Sequence, residues 1–232
     1  MLDNKLIVED LGIKEYDIVW AHQTKIHELL KSQNKEAESK FDQNHTLILC
    51  EHPHVYTIGK SGKDEHLIIP ESQLGQINAS FYRINRGGDI TYHGPGQLVA
   101  YPILDLNHLF TDVHKYVRML EETIIQILAN YNILGERIKE YTGVWIDAGT
   151  PKARKICAIG VHLSRWVSLH GLAFNVNSDL SYFNHIVPCG ITSNQMSVTS
   201  MEKELGIKIS MDEIKSLFAV KFAEIFNLKI DS

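Results

Sequence analysis

Cys189 stands in the run Val187-Pro-Cys-Gly-Ile191, and Lys155 opens the apolar segment Lys155-Ile-Cys-Ala-Ile-Gly160-Val-His162. A cysteine held between proline and glycine suits a turn, where a thiol can be reached. Beside a lysine ammonium its pKa falls, and thiolate becomes available near neutral pH for nucleophilic attack. Taken separately, the two are ordinary residues. Free cysteine usually packs as a small hydrophobe, and a lysine at a strand end is usually solvated charge.

The densest candidate segment is Arg86-Gly-Gly-Asp-Ile-Thr-Tyr-His93-Gly-Pro-Gly-Gln97-Leu-Val-Ala-Tyr101. Its glycines cost backbone entropy, so stability does not explain them. They let a backbone approach a ligand closely, and Gly87 and Gly88 can aim successive N–H groups at a carbonyl or oxyanion. Thr91, His93 and Gln97 add side-chain donors. The alternative is two tight turns in a β-meander, with Arg86 in a buried ion pair. Phosphate-loop readings fail, because there is no GxxxxGK[ST] and no GxGxxG opening a helix. A further segment, His170-Gly-Leu-Ala-Phe-Asn175, reads as a strand whose glycine admits a ligand or a neighbouring backbone.

These segments need elements to hold them. Residues 16–31 read as a helix from Ile18, Val19, Ile26, Leu29 and Leu30, and the polar stretch 32–45 as a loop. Thr46-Leu-Ile-Leu-Cys50 is a buried-strand pattern, followed by a turn and a second strand to Ile58. Residues 112–131 carry apolar side chains at i, i+3, i+4, i+7, with Thr111 or Asp112 able to cap the start. Strands are expected at 143–147, 156–163 and 167–176. Strict alternation would put Lys155, Cys157 and Ile159 on one face, with Ile156, Ala158 and Gly160 on the other. Ser210 and Glu213 form a capping box ahead of a last helix. The expected class is α+β: one domain over residues 1–232, with a mainly antiparallel or mixed sheet flanked by helices.

Composition narrows the function classes. The 232 residues are 44% hydrophobic and 22% charged, with a net charge of -5, which suggests neither nucleic acid nor an anionic membrane as partner. No apolar stretch reaches the roughly 18 residues of a membrane span, and the start does not resemble a signal peptide, so a cytoplasmic location is expected. Three cysteines without a CxxC pair, and twelve scattered histidines without HExxH, suggest neither a disulfide framework nor a metal site.

The glycine-rich run, the strand opened by Lys155, the His170-Gly-Leu-Ala-Phe-Asn-Val segment and Pro188-Cys189-Gly190 together resemble the lipoyl(octanoyl) transferase family. Its signature, Arg-Gly-Gly-x-x-Thr-aromatic-His-x-x-Gly-Gln-x-x-x-Tyr, is met at every fixed position. Glu51-His-Pro, Tyr56-Thr-x-Gly59 and Gly143-Val-Trp145 also match the family's manner, and the resemblance covers roughly residues 46–200. It implies a fold akin to the catalytic domains of biotin and lipoate protein ligases. It also implies a cofactor-free reaction, the first step of endogenous protein lipoylation. In that step octanoyl passes from octanoyl-acyl carrier protein, through a cysteine thioester, to a specific lysine of an acceptor. The acceptors are lipoyl domains of 2-oxoacid dehydrogenase E2 subunits and glycine-cleavage H protein.

Carried over by position, the resemblance makes Cys189 the nucleophile and Lys155 the residue that lowers its pKa. It makes Arg86, Gly87, Gly88, Asp89, Ile90, Thr91, Tyr92 and His93 the first acyl-site loop. Ala158, Ile159 and Gly160 form the second, and Gly171, Leu172 and Ala173 the third. Ala158 stands where some relatives carry a small hydroxyl residue, a position that contributes backbone more than side chain. Either Lys155 or His93 could serve as base toward the acceptor lysine. Val161, Leu172 and Ile191 are candidate lining for the acyl slot, and Lys60, Lys63, Lys152, Arg154 and Arg165 candidate contacts for an acidic carrier. The rivals are an ATP-dependent ligase on the same fold, a cysteine hydrolase pairing Cys189 with His93 or His170, and an acyl- or domain-binding protein without activity.

Overall fold

The computed structural model describes residues 4–33, 44–187 and 197–231. Most of the loop expected over 32–45, and Cys189 itself, lie outside the described residues. β1 (Lys5–Ile13) leads into α1 (Tyr16–Gln33), and then come β2 (Asn44–Glu51), β3 (Val55–Ile58), β4 (Ser80–Arg83), β5 (Ile90–His93) and β6 (Gln97–Ile103). After α2 (Val113–Ala129) follow β7 (Glu136–Ile138), β8 (Tyr141–Ile146), β9 (Arg154–Ser164), β10 (Val167–Asn175) and β11 (Ser197–Val198). α3 (Met201–Leu205), α4 (Met211–Phe226) and β12 (Lys229–Ile230) close the described chain.

The large sheet runs β12-β1-β2-β6-β10-β9-β8-β7, with β11 paired to β9, and a small sheet runs β4-β3-β5. The middle of the large sheet is antiparallel, as the short turns suggested. Its far edge is not: β1 pairs in parallel with both β2 and β12. β11 pairs in parallel with Arg154 and Lys155 of β9, beyond the point where pairing with β10 ends at Phe174 opposite Cys157.

Both faces of the large sheet are covered, which explains why β2 reads as an unbroken apolar run. Leu47 and Leu49 of β2, with Leu98 and Ala100 of β6, pack under α2 and α4 in the main core. The alternate residues Ile48, Cys50, Val99, Tyr101 and Ile103 face α1. Asp112 caps α2 by accepting from the Lys115 N–H at 3.0 Å, and Ser210 caps α4 by accepting from the Glu213 N–H at 3.4 Å. Among the described residues no helix is long and apolar enough to cross a membrane.

α1 departs from its apolar pattern. Its buried stripe is Tyr16, Val19, Gln23, His27 and Leu30, while Ile18 and Leu29 are each 57% exposed. The polar pair goes inward because β10 needs partners there. Gln23 Oε1 accepts from the His170 N–H at 3.3 Å, and His27 Nε2 lies 3.3 Å from the Val167 carbonyl. His170 has φ +62 in mid-strand; its pairing with β9 continues, but pairing with β6 begins only at Leu172.

β9 also breaks strict alternation. Cys157 and Lys155 oppose consecutive residues of β8, Val144 and Trp145, so Ile156 is the extra residue of a bulge. Ile156 and Cys157 both enter the main core. Lys155 therefore does not share a face with Cys157, as simple alternation would have it. It turns to the opposite side, with Ala158 and Gly160.

Candidate active site

The loop at residues 86–89 is built against the turn that follows β3. Gly59, Lys60 and Ser61 donate their N–H groups to the carbonyls of Asp89, Arg86 and Gly88 at 3.2, 3.0 and 3.2 Å. Only glycine fits at position 59, because a Cβ there would lie 2.3 Å from the Gly88 carbonyl oxygen. On the other side the Gly87 N–H donates to the Val161 carbonyl at 2.9 Å. That bond corrects one expectation: the Gly87 N–H ties the loop to β9 and is not directed at a ligand.

Arg86 is buried, and it holds neutral oxygens of the small sheet and of its own loop. Its guanidinium donates to the Thr57 carbonyl at 2.6 Å, to Thr57 Oγ1 at 3.0 Å and to the Gly87 carbonyl at 3.0 Å. Asp89 pairs with His66 and accepts from the Ile90 N–H at 2.7 Å, which holds the loop at its entry to β5.

A cavity of about 430 Å³ opens between this loop and the β9–β10 hairpin. Arg86, Gly87, Gly88, Asp89, Ile90, Thr91 and His93 line it, as do Ala158, Ile159, Gly160, Gly171, Leu172 and Ala173. Its size lies within the range of small-ligand sites, roughly 300–1,000 Å³. Lys155 stands on the same wall, so segments from distant parts of the chain meet at one cavity. Val161 and Leu172 line it too, whereas Ile191 lies outside the described residues. Tyr92 does not line it. Its side chain is fully buried in the small-sheet core, with its hydroxyl 2.8 Å from His54 Nδ1 and its ring stacked on Tyr182 at 5.1 Å. On β5 it faces away from Thr91 and His93.

Residues 16–223 match the family model described as the lipoyl protein ligase A/B catalytic domain. An octanoyltransferase from Cytophaga hutchinsonii is 50% identical over 99% of this chain and 96% of its own length. Another from Christiangramia forsetii is 49% identical over 99% of each chain. The chain belongs to the octanoyltransferase family. Among solved structures, a lipoate protein ligase from Thermoplasma acidophilum shares the fold, with a TM-score of 0.72 at 14% identity over 100% of this chain and 87% of that one.

In this octanoyltransferase-family chain the residues under the cavity form a neutral, hydrogen-bonded floor. His93 is buried, with Nδ1 2.9 Å from Gln97 Oε1 and Nε2 3.5 Å from Thr57 Oγ1. Burial first, then the neighbouring His52, lowers its pKa to about 3. His93 is therefore a poor base at neutral pH, which argues against it as the acceptor of the lysine proton. His170 is likewise neutral, lowered to about 3 by burial and then by Arg86, with Nε2 2.8 Å from Asn85 Oδ1. Tyr16 and Tyr101 complete the floor, and neither was singled out for the site from sequence. Tyr16 showed only as a helix start, although Tyr101 closes the signature.

Lys155 Nζ stands 4.7 Å from the centroid of the Trp145 ring. Its backbone lies between β8 and β11, opposite Trp145 and Val198, and its carbonyl accepts from the Thr199 N–H at 2.9 Å. Cys50 and Cys157 are fully buried, and burial pushes both thiols well above the ordinary range. Arg154, expected to face a carrier, is instead committed to Glu204 at 2.6 and 2.7 Å and to Asp147.

Proposed function

We propose that this protein transfers an octanoyl group from octanoyl-acyl carrier protein to a specific lysine of a lipoyl domain, through a thioester on Cys189. The acceptors are lipoyl domains of 2-oxoacid dehydrogenase E2 subunits and the glycine-cleavage H protein. The octanoyl group follows from relatives of that name at 49–50% identity. The observation that carries the chemistry is the cavity itself, which is lined by Lys155 and by residues of all three glycine-containing segments.

Two further observations support Cys189 as the nucleophile. The other cysteines are buried with raised thiol pKa values, so neither offers thiolate near neutral pH. The described chain on either side of Cys189 also reaches the cavity, which Phe183 and Val198 both line, and Val198 pairs with Lys155.

The steps balance as an exchange of acyl bonds. Cys189 thiolate, stabilised by the Lys155 ammonium, attacks the donor thioester carbonyl. The carrier sulfur leaves and takes the Lys155 proton. The acceptor lysine, as free amine, then attacks the Cys189 thioester. Its proton returns to Lys155 as the amide forms and thiolate is released. Thioester exchange is nearly thermoneutral, so the first half needs no external driving force.

Intact-protein mass spectrometry after mixing with octanoyl-acyl carrier protein tests this directly. The expected result is one octanoyl adduct on the native chain, absent in Cys189→Ser and discharged by an apo lipoyl domain. Transfer that appears only with ATP and free octanoate would overturn the mechanism in favour of a ligase. Free octanoate with no acylated domain would indicate a hydrolase.

A further inference from the structure

Trp145 is a fully buried residue of β8, and burial alone would make it a core filler. Its surroundings say more. It is the cross-strand partner of Lys155, whose Nζ lies 4.7 Å from the ring centroid. The indole is held in place, because its N–H donates to the Tyr141 carbonyl at 3.3 Å and the Tyr141 ring meets it edge-on at 6.0 Å. The bulge at Ile156 is what turns Lys155 toward both the ring and the cavity.

Gly143 keeps the strands at this separation. Its φ is +123, and a Cβ there would lie 2.4 Å from the Cys157 carbonyl oxygen and 3.6 Å from Lys155 Cδ. The Gly143-Val-Trp145 run thus has two tasks: the glycine allows the close approach and the tryptophan supplies the face. A π face attracts an ammonium through its quadrupole and has no such attraction for a neutral amine.

We propose that Trp145 is a positioning residue for acyl transfer, its indole face holding the Lys155 side chain as an ammonium at the edge of the cavity. The proposal rests on Lys155 activating Cys189. It assigns the strength of that activation to the ring beneath the lysine.

Graded fluorination of the ring tests it, because fluorine weakens the quadrupole while nearly preserving shape. In a Trp20→Phe, Trp166→Phe chain, Trp145 is replaced by tryptophan carrying one, two and four ring fluorines. Two quantities are read: the pH dependence of Cys189 alkylation by iodoacetamide, and the rate of octanoyl adduct formation. The Cys189 thiol pKa should rise stepwise along the series while the melting temperature holds. The acylation rate near neutral pH should fall in step, by about 2- to 30-fold in all.

Lys155→Met in the same background separates the two ideas. If it raises the thiol pKa while the fluorinated series leaves that pKa unmoved, Lys155 keeps its role and Trp145 is only core. Trp145 is equally reduced to core if rate is lost only with stability and the pKa does not move. If Lys155→Met changes neither the pKa nor acylation, the activation of Cys189 by Lys155 and the role of Trp145 both fall.

Discussion

His93 Nδ1 lies 2.9 Å from Gln97 Oε1, and this contact sets which ring nitrogen carries the proton. Gln97 Nε2 donates to the Tyr92 carbonyl at 3.1 Å and to Asn175 Oδ1 at 2.9 Å, and Asn175 Nδ2 donates to the Thr199 carbonyl at 2.9 Å. Backbone carbonyls only accept, so both amides are fixed in orientation and Gln97 Oε1 must accept from His93 Nδ1–H. The lone pair of His93 Nε2 then faces the Thr57 hydroxyl, whose oxygen accepts from Arg86.

Gln97→Ala removes the hinge of that chain. It strands the His93 N–H and Asn175 Oδ1 in a buried site, so unfolding free energy should fall by about 1–3 kcal/mol. Urea titration measures the loss. Nitrogen-15 NMR of the native protein should show His93 protonated at Nδ1, and protonation at Nε2 instead would contradict the bonding order.

Acid should unfold the protein in the histidine range. Burial, the largest cause in each case, lowers His45 and His52 to about 4 and His93 and His170 to about 3, against 6.5 for the unfolded residue. Between those values the unfolded chain binds protons that the folded chain does not, so stability rises with pH. It should be level above pH 7, decline as pH falls through 6.5, and keep declining toward pH 3–4. Each such histidine can contribute up to about 1.4 kcal/mol per pH unit inside that window. Urea midpoints that stay constant from pH 7 to 5 would exclude neutral, buried histidines.

Gly160→Ala should damage transfer. The new Cβ would lie 3.0 Å from Arg86 Cδ and 3.0 Å from the Gly87 carbonyl oxygen, so the loop at 86–88 must yield. Displacement of a site wall by a fraction of an ångström can cost about 10- to 100-fold in rate. The expected outcome is a fall of that order in the octanoyl transfer rate, with a smaller effect on the melting temperature. Unchanged transfer would show that the Arg86 loop need not sit where it does.

Glu121 is a buried carboxylate that joins α2 to the β7–β8 edge. Its Oε2 accepts from Arg118 at 2.6 Å and Arg137 at 3.0 Å, and its Oε1 accepts from the Gly143 N–H at 3.1 Å. Both arginines reach solvent, whereas the Gly143 N–H has no such exit. Glu121→Ala should therefore cost about 1–3 kcal/mol, mostly for that N–H. Glu121→Gln keeps an acceptor at the same place and should cost clearly less. Equal losses in chemical denaturation would place the cost in the ion pairs instead.

Sequence alone determined what depends on near neighbours along the chain. The apolar period and caps of α2 and α4 are local, since a helix face and its cap lie within a few residues of each other. The strands around β8, β9 and β10, the α+β class and the glycine-rich signature are legible for the same reason, and the signature carries the family with it.

Tertiary structure decided what depends on partners far apart in the chain. Thr57 meets Arg86 across 29 positions, and Asn175 meets Gln97 across 78. No local period announces such pairs. The polar stripe of α1 answers backbone groups of β10, 140 and 147 positions away. The bulge that reverses Lys155 exists only in the register between β8 and β9, and a single-residue slip there moves a side chain to the other face. Residue types marked Lys155 and the glycines as candidates. Their meeting at one cavity, with an indole beneath the ammonium, required the burial of distant segments against one another.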